Sequence, residues 1–75
     1  MKISSREKEV LGLIAFEYTT KEIANHLFIS MDTVKSHRKK LFSKMGARNI
    51  AGLVRRGFES GLISAHPLTT INFHS

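Results

Sequence analysis

The sequence predicts an all-α protein, a bundle of four short helices, and three observations carry that expectation. Apolar residues recur every three to four positions through four segments, and most segments open or close on a recognisable cap. Strand-like alternation is confined to one weak run, LTTINF, near the C-terminus. The predicted helices cover residues 5–17, 20–27, 31–45 and 48–60. With 75 residues, 41% of them hydrophobic, the chain suffices for one domain, expected over residues 1–63, followed by an irregular tail, 64–75. A domain of this size buries only about 60% of its unfolded surface, so its core must be thin.

The first helix opens on a capping box: Ser4 precedes it and Glu7 stands three residues on. Val10, Leu11, Ile14 and Tyr18 then form one stripe, with Phe16 off it. A second box, Thr19 to Glu22, opens the second helix, in which Ile23, Ala24 and Leu27 face inward. Only Phe28 and Ile29 separate Leu27 from Ser30, an N-cap for the third helix, so the second and third helices form a tight helix-turn-helix with an apolar turn packed on the core. Gly46 closes the third helix in the left-handed region. The fourth turns Ile50, Leu53, Val54 and Phe58 inward, with Gly57 on the same stripe allowing close approach, and Gly61 ends it. Its other side, Ala51, Gly52, Arg55 and Glu59, has two small residues and can lie against another helix.

The third helix carries the chemistry. Val34, Leu41 and Met45 make its apolar stripe, with Met31 and Phe42 beside them, while Lys35, Ser36, Lys39 and Lys40 take the opposite side. Five cations and one anion, Asp32, lie on it, and Lys plus Arg outnumber Asp plus Glu by 12 to 6 over the chain. Such an excess favours a polyanion, nucleic acid above all. With no cysteine, neither a disulfide framework nor a thiolate metal site is available, and the composition fits a reducing compartment. The N-terminus MKISSREKE has no apolar signal core and no apolar run is long enough to span a bilayer, so a cytoplasmic protein is expected. No cofactor is expected, and His66 and His74 lack a third ligand at metal-site spacing. The inventory for an enzyme is missing as well, since no nucleophile stands near a base and no glycine-rich phosphate loop occurs.

The runs ISSREKEVLGLIA, TTKEIANHLFIS, TVKSH, KMGARN and GLI, in that order and spacing, resemble the LuxR/NarL (GerE-like) helix-turn-helix domain of bacterial transcription regulators. The resemblance covers about residues 3–63. It implies a four-helix fold that binds double-stranded DNA, with the third helix in the major groove and the fourth pairing with a second copy. By that resemblance Lys35, Ser36 and Lys39 reach base edges, and they lie together on the outward face of the helix. Thr20, Lys21, Thr33, Lys40, Arg48 and Asn49 are the expected phosphate contacts. Arg38 falls inside the apolar arc; its stem packs while the guanidinium reaches a phosphate or an acid such as Glu22. His37, beside the core stripe, is expected to be packed and hydrogen-bonded. The chain departs from the family at Glu17, where glycine is usual, and at Ile50, where arginine commonly follows the asparagine. A second function remains open, a protein-interaction module that docks on RNA polymerase or another regulator. The domain would be a small stand-alone regulator or the output domain of a longer one.

Overall fold

The computed structural model describes residues 2–63. Four helices follow one another, α1 (Ser5–Ala15), α2 (Thr20–Leu27), α3 (Met31–Met45) and α4 (Ile50–Glu59), and there is no strand among the described residues. The tail 64–75, with His66, His74 and the LTTINF run, lies outside them.

Each helix starts where a side chain replaces a missing backbone acceptor. Ser4 Oγ accepts from the Glu7 N–H at 3.0 Å and Glu7 Oε1 accepts from the Ser4 N–H at 2.9 Å. Thr19 and Glu22 repeat the exchange at 3.1 and 2.8 Å. Ser30 Oγ accepts from Thr33 at 3.1 Å, and Asn49 Oδ1 accepts from Gly52 at 2.9 Å. The asparagine cap places the start of α4 at Ile50, two residues later than the predicted 48.

All four helices also stop in one way. A left-handed residue lets the next N–H reach back to a carbonyl five positions earlier: Tyr18 to Leu13, Ile29 to Ala24, Ala47 to Phe42 and Leu62 to Gly57, at 2.9 to 3.2 Å. Gly46 and Gly61 fill the left-handed position after α3 and α4, as their sequence positions suggested. After α1 and α2 the position is held by Glu17 (φ 68°) and Phe28 (φ 58°). Helix α1 therefore ends at Ala15 rather than at residue 17.

One core joins the helices. Val10, Leu11 and Ile14 of α1, Ile23 and Ala24 of α2, Val34 and Leu41 of α3, Leu53 of α4 and Ile63 are buried. Helix α3 packs against the other three. Gly57 admits Ile63: a Cβ there would overlap Ile63 Cδ1 and stand 3.2 Å from Leu11 Cδ2.

Tyr18, Phe28, Ile50 and Phe58, expected inside, are exposed, and so is Met31 beside the α3 stripe. Tyr18 follows the left-handed break, so the helical stripe no longer governs it, and its ring meets His26 edge-on with centroids 5.6 Å apart. Ile50 and Phe58 flank the narrow row Leu53 and Gly57 that α4 buries. Phe28 is 93% exposed, because the left-handed backbone turns it away while Ile29 packs on the core.

An ion pair between buried Glu7 and half-buried Lys44 ties the start of α1 to the end of α3. Lys44 Nζ donates to both Glu7 oxygens, at 2.8 and 3.1 Å, and to the Lys2 carbonyl at 3.0 Å. The Lys44 hydrogen bond first and the Ser4 N–H second bring the Glu7 carboxyl down from 4.5 to about 2, against an opposing effect of burial.

Because the folded pKa of Glu7 lies below its unfolded value, its contribution is complete above about pH 4.5 and is lost as pH falls toward 2. Urea unfolding between pH 5 and 2 should show a shallower loss in Glu7→Gln than in wild type; equal slopes would contradict the pairing. Glu17→Gly relieves the left-handed side chain and should stabilise the domain by about 1 kcal/mol at neutral pH, read as a raised urea midpoint.

Candidate nucleic-acid interface

The fold gives α3 two unlike sides. Val34 and Leu41 are fully buried, whereas Thr33, Lys35, Ser36, Lys39 and Lys40 are exposed. Lys35, Ser36 and Lys39 share one exposed turn, the juxtaposition their spacing suggested, and Lys40 adjoins it. Thr33 Oγ1 stands 2.9 Å from Ser30 Oγ at the start of the helix, so this hydroxyl pair lies at the positive end of the α3 dipole.

The second helix brings its own first turn beside this face. Thr20 begins α2 and Lys21 follows, exposed. The link between the helices is Arg38, whose Nη1 donates to Thr20 Oγ1 at 3.1 Å. Arg38 is half-buried, and its Nε is enclosed without a partner among the described residues. It lines a cleft with Ile14, Tyr18, Ile23 and Ile50. Of the two partners considered for Arg38, a phosphate or an acid such as Glu22, the acid does not pair with it, because the Glu22 carboxylate caps α2. His37 is half-buried as expected, but its Nδ1 has no hydrogen-bond partner among the described residues.

Arg48 and Asn49 lie exposed in the α3–α4 turn, and the Asn49 side-chain oxygen is occupied by the α4 cap. They line a second cleft with Ala51, Gly52, Arg55 and Arg56. Arg48 and Asn49, expected to meet phosphate, thus adjoin Ala51, Gly52 and Arg55, expected to meet a second copy, and Arg56 adds a third arginine to the cleft. Glu59 is exposed at the far end of α4.

The chain's proportions and this pairing of a buried stripe with a basic face agree with a wider comparison. Residues 1–56 match the family of bacterial regulatory proteins called the luxR family. The chain belongs to the LuxR family. It is 40% identical over 62 residues to the transcriptional regulatory protein MctR of Rhizobium johnstonii, an alignment covering 83% of this chain and 29% of that protein. The chain therefore spans less than a third of that relative. Among solved structures, the transcription factor GerE superposes with a TM-score of 0.77 at 30% identity, covering 81% of this chain and 91% of GerE. VqmA of Vibrio cholerae, solved in complex with ligand and DNA, superposes with a TM-score of 0.75 at 34% identity, covering 83% of this chain and 27% of VqmA.

The family so matched is one of DNA-binding transcription regulators. No helix among the described residues is long and apolar enough to cross a membrane. Two contacts that position the basic face were absent from the sequence reading. Lys44, one of the five cations on α3, pairs with Glu7. A signal for that pair existed: Glu7 precedes Val10, Leu11 and Ile14 on their own stripe, and an acid on a core stripe calls for a buried cation. Arg38 offered no such cue toward Thr20, since the two stand 18 residues apart on different helices.

Proposed function

We propose that this LuxR-family domain binds double-stranded DNA sequence-specifically, with α3 in the major groove. The observation that carries the reading is the exposed turn Lys35, Ser36 and Lys39 directly behind a fully buried Val34. A helix held by one stripe presents the opposite turn rigidly, which base reading requires. Lysine at two of the three positions favours the guanine O6 and N7 acceptors. Lys21, Thr33 and Lys40 hold phosphates on either side, Thr20 contributes a hydroxyl, and Arg48 and Asn49 extend the contact beyond α3. A second copy joins through Ala51, Gly52, Arg55 and Glu59, so that two copies read two half-sites. Residence within a longer cytoplasmic regulator suits a chain that spans 29% of MctR.

Docking on RNA polymerase or another regulator is the second reading, and Phe28 favours it. An aromatic side chain 93% exposed at the helix-turn-helix corner is a fitting protein contact. The two readings differ in the residues they need, α3 cations in one and Phe28 in the other.

The test is a set of binding isotherms on a selected duplex and on random duplex across a range of salt. Lys39→Ala should cost about 1–3 kcal/mol on the selected duplex and little on random DNA. Lys21→Ala should weaken both alike and reduce the salt slope by about one. Equal losses on both duplexes for Lys39→Ala would remove it from base reading. Sedimentation with a duplex carrying two half-sites should give two chains per duplex at saturation, and a limit of one would remove the α4 pairing.

A further inference from the structure

We infer that Arg38 is a positioning residue for DNA binding that acts through the Thr20 hydroxyl and makes no phosphate contact of its own. The inference rests on the DNA-binding reading proposed above and assigns a mechanism within it.

The geometry is specific. The Arg38 guanidinium reaches from the middle of α3 to the first residue of α2 and donates from Nη1 to Thr20 Oγ1 at 3.1 Å. Its Nε is fully enclosed, and Ile14, Tyr18, Ile23 and Ile50 line the cleft around it. Glu17 lines the same cleft, but the ion pairs among the described residues are Arg6 with Glu9 and Lys44 with Glu7, so no carboxylate neutralises Arg38. Nε and Nη1 of Arg38 are therefore turned to the protein side of the cleft, with Thr20 as the acceptor for Nη1.

That commitment fixes what Thr20 can do. A hydroxyl has two acceptor lone pairs and a single proton. An arginine N–H can only be accepted, so the contact occupies a lone pair and leaves the proton for another partner. No acceptor for that proton is present among the described residues. Thr20 is thus held as a donor, and an acceptor-only phosphate oxygen is the partner that a DNA backbone supplies. The nearby positive charge strengthens the bond by polarising the hydroxyl. Because Arg38 stands between Lys35 and Lys39 in sequence, the same contact sets the base-reading turn of α3 against the phosphate-binding start of α2.

A double-mutant cycle on DNA affinity tests this, using wild type, Thr20→Val, Arg38→Met and the double variant on the selected and random duplexes. Circular dichroism confirms that each is folded, and Arg38→Lys replaces Arg38→Met should the latter unfold. Thr20→Val and Arg38→Met should each weaken both duplexes by about five- to tenfold, the loss of one hydrogen bond. In the Thr20→Val background, Arg38→Met should then cost less than about twofold, since the hydroxyl it serves is gone. Thr20→Ser should keep wild-type affinity. Equal losses from Arg38→Met in both backgrounds would overturn the inference, because Arg38 would then touch DNA by itself. An Arg38→Met variant with wild-type affinity would overturn it too. Failure of the wild-type chain to bind any duplex, at low salt, would overturn the DNA-binding reading and this inference together, whereas the first two results leave that reading intact.

Discussion

Burial of Val34 and Leu41 is the constraint on which the rest of the structure depends. Both are fully buried, two turns apart on a 15-residue helix that spans roughly 22 Å. To cover so narrow a stripe, α1, α2 and α4 all pack on α3, and no second core is available in a chain this small. The opposite side of α3 is left in solvent as a consequence, and its lysines cost little to keep there. A basic helix that buried more of its circumference would have to desolvate Lys35, Lys39 or Lys40. One that buried less would not be held in a fixed orientation.

Two polar contacts then set that orientation where apolar packing alone would allow sliding. Lys44 and Glu7 fasten the end of α3 to the start of α1, and the pair is backed by the Ser4 N–H and the Lys2 carbonyl. Such a pair adds modest net stability but makes alternative packings costly, because any other arrangement leaves a buried charge unpaired. Arg38 and Thr20 fasten the middle of α3 to α2. The helix is thereby fixed against α1 and α2, and the turn that carries Lys35, Ser36 and Lys39 is held with it.

Much of this was legible in the sequence. Ser4 with Glu7, Thr19 with Glu22, Ser30, Gly46 and Gly61 marked helix ends correctly because caps are local, involving residues three to six apart. The stripe of α3 was legible because its period runs uninterrupted from Val34 to Met45. Harder to read were the stops that use no glycine: Glu17, at a position where the family usually has one, and Phe28 take the left-handed position because the tertiary fold outweighs their local preference. The left-handed Glu17 turns Tyr18 out of the core, and the left-handed Phe28 leaves its own ring in solvent. The contacts of Arg38 and of Lys44 with residues 18 and 37 positions away depend on helix placement, which periodicity does not encode. Of the candidate site, the shared exposure of Lys35, Ser36 and Lys39 was anticipated, whereas the clustering of Arg55 and Arg56 with Arg48 emerged only from the folded α3–α4 turn.

Entry of the Lys35, Ser36 and Lys39 turn into the major groove, as proposed, is tested directly by methylation interference on a selected duplex. Methyl groups are placed at guanine N7, which lines the major groove, or at adenine N3, which lines the minor groove. If α3 reads the major groove, N7 methylation within each half-site will block binding and N3 methylation at the same half-sites will not. Binding that tolerates N7 methylation throughout but is lost on N3 methylation would contradict the account.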